Sequence, residues 1–486
     1  MTTDQEGISP VFREIPFGDA HILYSRLRAP ESLLFESVKG PQKIARYSFI
    51  GIDPYLVITV KNGLIETNWG GRKGLSQRGP LKRLRELLVG YRQKPVEGLP
   101  PFQGGAAGML GYDFARYFER LPSRAVDDLH LPDAHFFMLD KLVAFDHAAK
   151  RSWIIVCPGA REGGLGYSGI SAAPEELRRR AEDVVQQMYE RIVGGGPWPC
   201  ADRGGPPQRS GPVVINNDTG KVRYIEMVRR VKDYIAAGDI FQANLSLRVS
   251  ADIPGRDPWD LYRILREINP SPFSCYIDFG GYQIVSSSPE RLVRVRDRIV
   301  DTRPIAGTRP RGSDLSEDER MRAELLLNEK ERAEHIMLID LERNDLGRVA
   351  QYGTVSVDEL MITEDYSHVI HIVSNVRGVL AEGRDCFDVI RATFPGGTIT
   401  GVPKVRCMEI IDELEPVRRN AYTGSVGYIG FNGNMDLNII IRTFVIKDGR
   451  AYIQAGAGIV ADSDPEREYN ESLKKAEALI RTVERI

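Results

Sequence analysis

Ser425-Val-Gly-Tyr-Ile-Gly-Phe431, Asp436-Leu-Asn-Ile-Ile-Ile-Arg-Thr-Phe-Val-Ile-Lys447 and Ala451-Tyr-Ile-Gln-Ala-Gly-Ala-Gly-Ile-Val460 decide the fold class. Each run reads as a strand. No helical pattern stands between them, so the succession predicts antiparallel pairing. Further strand-like runs lie at 283–287, 55–60 and 153–156. Helical patterns cover 175–193 and 219–237. In the second, Tyr224, Ile225, Val228, Val231 and Ile235 recur at three- and four-residue steps, and Gly238 stands where a helix stops. The last helix opens on Asp464-Pro465, an N-cap followed by proline, and Leu473, Ala476, Ile480 and Val483 give it an apolar stripe. The class is α+β with a large antiparallel component.

The chain has 486 residues, 42% hydrophobic and 27% charged, which is enough for two or three units or one large interlocked one. Its 65 Lys+Arg against 67 Asp+Glu argue against nucleic acid as the main partner, because phosphate binding needs a basic surplus. The Gly/Pro-rich run at 194–212 reads as a linker or long loop. It separates an N-terminal region, 1–193, and a C-terminal region, 216–486, with 194–215 between them. Residues 158–169 form a second soft segment. Cys157, Cys200, Cys275, Cys386 and Cys407 are odd in number and make no CxxC pair, so a reducing compartment is expected and a disulfide framework is not. No signal peptide and no membrane-spanning helix are expected, and the location implied is cytoplasmic.

Five groups of residues could carry chemistry. Glu331, Glu334 and His335 share a helix face, and so do Glu468, Glu471 and Lys475 on the last helix. Two carboxylate pairs on two helices suit a hard divalent cation such as Mg²⁺. Taken singly, each pair reads more simply as a solvated face. Phe394-Pro-Gly-Gly-Thr-Ile-Thr-Gly-Val-Pro-Lys404 is glycine-rich without Walker spacing. Its Gly396 and Gly397 could cradle an anion or form an ordinary turn. Ala455-Gly-Ala-Gly458 offers either a bare ligand surface or close strand packing. Tyr366-Ser-His-Val-Ile-His371 carries two histidines, and structural histidines are commoner than catalytic ones. HExxH, GxSxG and a placed GxGxxG are absent, and no cysteine has the Gly-x-Cys-x-Gly setting of a glutaminase nucleophile.

Together these segments resemble the chorismate-utilising enzymes: anthranilate synthase component I, aminodeoxychorismate synthase component I, isochorismate synthase and salicylate synthase. The resemblance rests on Leu34-Phe-Glu-Ser37, Arg46 to Gly51, Phe102 to Gly108, Gly111-Tyr-Asp113, Ser286-Ser-Ser-Pro-Glu290, Arg303-Pro-Ile-Ala-Gly-Thr308, Lys330 to His335, Arg343 to Gly347, Tyr366 to His371, Phe394 to Lys404 and Ile441-Arg-Thr443. It implies a large interlocked α/β sandwich with antiparallel sheets. It also implies that Glu334 and Glu471 bind Mg²⁺, with Glu331 and Glu468 holding its water shell. Arg442, Tyr422, Lys475 and the N–H groups of Gly456, Ala457 and Gly458 would hold the carboxylates of chorismate. Thr398 would contact the substrate, His371 would assist departure of the ring hydroxyl, and Glu290 would act as acid or base beside it. This division of labour suits a dianion with a poor leaving group.

The branch is read from departures. Water-adding relatives carry Lys at the position of Gln242, so ammonia is the implied nucleophile. Asn244 and the Pro395–Gly401 form resemble aminodeoxychorismate synthase, and Leu437–Arg442 departs from the form common in anthranilate synthases. Asn269-Pro-Ser-Pro-Phe-Ser-Cys275 departs from the usual tryptophan feedback pocket, although Glu36-Ser37 keeps a remnant of it. Ala306 points the other way: it stands where many aminodeoxychorismate synthases have a nucleophilic Lys, and a methyl group cannot attack. The expectation is aminodeoxychorismate synthase component I, working with a separate glutamine amidotransferase subunit, for 4-aminobenzoate and folate synthesis. The alternatives are anthranilate synthase component I and, behind it, a non-catalytic chorismate-binding protein.

Overall fold

A computed structural model describes residues 7–163, 172–194, 213–312, 314–365 and 369–486. Most of the expected linker, Cys200, part of the soft segment at 158–169, and Tyr366, Ser367 and His368 lie outside the described residues.

The strands expected near the C-terminus form, and they pair antiparallel. Among the described residues the strands build two twelve-stranded sheets. The first runs from Val11–Ile15 through Arg151–Val156, Lys141–Asp146, Tyr47–Gly51 and Ser32–Glu36 to Phe273–Asp278. It continues through Gln283–Ser288, Thr443–Lys447, Arg450–Ile459 and Gln242–Asp252. The second joins Gly105–Leu110 and Ala134–Leu139 to Ser425–Gly430, Met435–Asn438 and Arg291–Arg296. Both sheets therefore take strands from 1–193 and from 216–486. The seams are Ser32–Glu36 against Phe273–Asp278 and Gly105–Leu110 against Ser425–Gly430.

Three apolar layers hold this arrangement. Phe49, Phe102, Phe137, Trp153 and Tyr428 belong to the layer between the sheets, where Phe102 stacks on Tyr428 at 4.5 Å. Helices Pro174–Val193, Lys221–Ala236 and Pro465–Glu484 cover the first sheet. Helices Pro80–Val89 and Cys386–Thr393 pack on the second. Strands with cover on both faces need no polar alternation, so Ser425–Gly430 and Gly105–Leu110 are buried throughout.

The expected helices stand at Pro174–Val193, Lys221–Ala236 and Pro465–Glu484. Asp464 caps the last one, accepting from the N–H groups of Glu466 and Arg467 at 3.1 and 2.9 Å. Its buried face runs through Ser472, Ala476, Leu479 and Val483, while Leu473 and Ile480 are only half-buried. Ser472 turns inward because its hydroxyl meets that of Tyr224 at 2.8 Å.

One expected strand divides. The run 436–447 becomes Met435–Asn438 in the second sheet and Thr443–Lys447 in the first. Residues 439–442 carry the chain across, and Arg442 takes a φ of 53° there. Both halves of the run are buried, so its apolar pattern does not register the change of sheet. No helix among the described residues is long and apolar enough to cross a membrane.

Candidate active site

The crossing at 439–442 has a companion. The chain also leaves the first sheet after Ser288 and enters the second at Arg291. The two crossings lie side by side and bind each other. The N–H of Ile439 donates to the Glu290 carbonyl at 3.0 Å, and that of Ser287 to the Arg442 carbonyl at 3.1 Å. Ser288 Oγ donates to the Ile439 carbonyl at 2.6 Å. Glu290 and Arg442 thus leave the backbone at one place, on segments that the two sheets hold fixed.

Glu290 is 7% exposed, and Thr398 Oγ1 donates to its Oε1 at 2.9 Å. Burial pushes its carboxyl up to about 7, against the Thr398 hydrogen bond and the charges of Arg442 and Lys475. Arg442 is half-buried, and burial lowers its pKa from the ordinary value; Tyr422, Glu290 and Glu471 act in the other direction. Among the described residues none makes a side-chain hydrogen bond or ion pair with its guanidinium. A desolvated cation without a hydrogen-bonded partner is costly, and an anionic ligand relieves it. Tyr422 is buried beside it, its hydroxyl pushed up to about 12 by burial.

Thr398 sits on the loop 394–404. A β-carbon on Gly397 would collide with Leu341, so the glycine lets the loop lie against helix Glu329–Gly347. Thr400 Oγ1 donates to the Gly396 carbonyl at 2.8 Å. Lys404 is occupied, donating to Asp345 at 2.5 Å and to the Thr393 carbonyl at 3.1 Å. These contacts give the glycine-rich run a packing role.

His371 lies on strand Val369–Val379, beside Ile305–Pro310. The pairing shifts between Ala306 and Thr308, where Gly307 has a φ of 75° and its carbonyl turns toward the imidazole. Nδ1 lies 3.3 Å from that carbonyl and 2.9 Å from Thr308 Oγ1. Burial lowers the His371 pKa to about 4, so the ring is neutral at pH 7. Ala306 pairs with Ile372, next to His371.

Gly456, Ala457 and Gly458 lie on Arg450–Ile459, paired with Gln242–Asp252. A β-carbon at Gly456 would strike the Leu245 carbonyl, and one at Gly458 would strike the Gln242 amide. The small residues therefore serve close strand packing, and they also make room for the Gln242 and Asn244 side chains. Gln242 Oε1 and Asn244 Oδ1 are buried without a hydrogen-bond partner. Lys475 reaches the same strand, donating to the Gly456 carbonyl at 3.1 Å and pairing with Glu471 at 2.7 Å.

The four glutamates stand on two helices, Glu329–Gly347 and Pro465–Glu484. Glu331 Oε1 accepts from Arg309 at 2.8 Å, while its Oε2 is buried without a partner. Glu334 and Glu468 are half-buried, and Glu471 is largely exposed. Among the described residues no three acidic, His or Cys side chains converge on one point. The donor chemistry suits a hard cation all the same: every member is a carboxylate, and Glu331 keeps one oxygen unsatisfied.

Comparison with known proteins gives the family. Residues 30–481 match the model of the chorismate binding enzymes. The chain belongs to that family. It is 44% identical over 454 residues to anthranilate synthase component 1 of Acetivibrio thermocellus, spanning 93% of this chain and 90% of that protein. It is 41% identical over 480 residues to aminodeoxychorismate synthase component 1 of Bacillus subtilis, spanning 98% and 97%. The crystal structure of anthranilate synthase component I from Streptococcus pneumoniae superposes with a TM-score of 0.77 at 35% identity, covering 90% of this chain and 92% of that one.

In this chorismate-binding enzyme, Glu36, Ser37 and Pro272 to Cys275 line a cavity of about 160 Å³ together with Arg291 and Arg294. Glu36 is occupied, accepting from Tyr262 at 2.7 Å and Arg266 at 2.9 Å. Sequence reasoning missed Arg309, the partner of Glu331, and the buried pair Glu415–Arg419. A Glu and an Arg four residues apart ordinarily read as a surface pair. The one available signal was their place between the apolar residues Cys407, Met408, Ile410 and Ile411 and the strand run 425–431.

Proposed function

We propose that this chain is the chorismate-aminating component of an aminodeoxychorismate synthase. It replaces the ring hydroxyl of chorismate with ammonia and yields 4-amino-4-deoxychorismate for 4-aminobenzoate and folate synthesis. The observation that carries the reading is the Glu290–Thr398 hydrogen bond beside Arg442, whose guanidinium makes no side-chain hydrogen bond or ion pair among the described residues. A carboxyl that holds its proton near neutrality makes an allylic hydroxyl leave as water. Arg442 and Lys475 take the substrate's carboxylates, and Tyr422 and the Gly456–Gly458 backbone border them. His371 is neutral with Nδ1 engaged, so proton donation falls to Glu290.

Gln242 in place of a water-activating lysine, together with Asn244, supports ammonia as nucleophile and aminodeoxychorismate as product. The Bacillus relative, aligned over 98% of this chain, supports the same branch. Ala306 closes the lysine-adduct route. Glu334 and Glu471 would hold Mg²⁺, with Glu331 and Glu468 around its waters. When bound, the ion supplies positive charge to the substrate's carboxylate. A separate glutaminase subunit delivers ammonia, in keeping with relatives named component 1. A cytoplasmic setting fits the buried free thiols at Cys157, Cys275, Cys386 and Cys407.

Anthranilate synthase component I is the second reading, favoured by Ala306 and by the Acetivibrio and Streptococcus relatives. Incubation of the purified chain with chorismate, Mg²⁺ and ammonium, followed by mass analysis, separates the two. Aminodeoxychorismate is expected, and a chelator abolishes its formation. Anthranilate as sole product installs the second reading.

A further inference from the structure

We infer that Arg419, locked to Glu415, is a positioning residue that sets the spacing of three substrate-facing segments. The inference rests on the reading of Asn244, Thr398 and Tyr422 as substrate-facing. Arg419 and Glu415 are each 3% exposed. A guanidinium has five N–H donors in a rigid plane, and here all five are used. Nε and Nη2 donate to the Glu415 carboxylate at 3.0 and 2.8 Å. Nη1 donates to the Ile399 carbonyl at 2.9 Å and to Thr423 Oγ1 at 3.2 Å. Nη2 also donates to the Asn244 carbonyl at 2.7 Å. Glu415 Oε1 in turn accepts from the N–H and Oγ of Ser246 at 2.9 and 2.8 Å.

These acceptors lie on separate pieces of chain. Ile399 follows Thr398 on the glycine-rich loop. Thr423 follows Tyr422, has a φ of 59°, and passes its own hydroxyl proton to the Tyr422 carbonyl at 2.6 Å. Asn244 is on the strand that faces Gly456. The guanidinium also lies 5.5 Å from the centre of the Tyr422 ring. One planar group thus fixes loop, turn and strand relative to each other. Neither Arg442 nor Lys475 is among its partners, so the anchors for the substrate's carboxylates are independent of it.

A stabilising role alone explains this pair poorly. Desolvation offsets most of the attraction in a buried ion pair, and an apolar pair of similar size often holds a fold as well. An apolar pair cannot hold two carbonyls and a hydroxyl at set distances. Loss of the pair should therefore act on turnover more than on substrate affinity, because small misplacements of reacting groups are expensive.

The test compares the double variant E415L/R419M and the single variant R419K with the wild type, using chorismate and ammonium. Turnover is followed through whichever amine product the wild type forms, so a wrong product assignment alters the wild-type product and leaves the comparison intact. The double variant is expected to fold with a thermal midpoint below wild type, because the Ile399 and Asn244 carbonyls and the Ser246 N–H lose their partners. Its kcat should fall about a hundredfold while the KM for chorismate stays within about threefold. If the double variant fails to fold, R419K decides, since it keeps the charge opposite Glu415. A folded R419K with kcat down about tenfold and KM unchanged supports the inference. Either folded variant turning over at the wild-type rate, or losing affinity with kcat intact, overturns it.

Discussion

Glu290 shows how a residue's role depends on where the fold puts it. Its carboxyl is pushed from 4.5 up to about 7 by burial. Below about pH 4.5 both folded and unfolded chains hold the proton. Between about 4.5 and 7 the folded chain keeps a proton that the unfolded chain has lost, so stability falls as pH rises through this window. Glu290→Gln removes the effect. The variant should gain on the wild type by a few kcal/mol, in order of magnitude, between about pH 5 and pH 8 in urea unfolding. It should also lose the ionisation near pH 7 from the profile of kcat/KM. A wild-type-to-variant difference that does not change with pH would contradict this. The residue was legible in Ser286–Glu290 through the family resemblance. Its proton affinity was not, because Glu290 is enclosed by segments distant in sequence, among them Thr398 and the crossing at Ile439.

At the scale of elements, the strands expected at 55–60, 153–156, 283–287, 425–431 and 451–460 and the three expected helices form close to where apolar period and caps put them, while most of the other strands were not read. The exception among the expected runs was the crossing inside 436–447. An apolar run buried on both faces has the same appearance whether it stays in one sheet or passes between two. That crossing supplies Arg442 and, with its partner at 289–290, the foundation of the site. The paired strands Gln242–Asp252 and Arg450–Ile459 yield a contrast between two glycines. Gly456→Ala sets a methyl against the Leu245 carbonyl, which is backbone and cannot step aside. It should cost about 1–3 kcal/mol in denaturant unfolding. Gly458→Ala meets only the flexible Gln242 amide, so stability should hold while the KM for ammonium rises. Equal stability losses in the two variants would count against the placement of Gln242.

At the scale of the molecule, the Gly/Pro run at 194–212 marked a break in composition, but both sheets draw strands from before and after it. Pairings between residues more than two hundred positions apart, such as Leu34 with Tyr276, leave no local trace in sequence. The two chain crossings between these sheets bring Glu290 and Arg442 together, with Thr398 and Lys475 beside them. On the proposed function, this place aminates chorismate and retains its enolpyruvyl group. The most direct measurement is pyruvate released per chorismate consumed, with ammonium and Mg²⁺ and no partner subunit. Chorismate consumption with no pyruvate is expected. One pyruvate per chorismate, accompanied by anthranilate fluorescence, would contradict it.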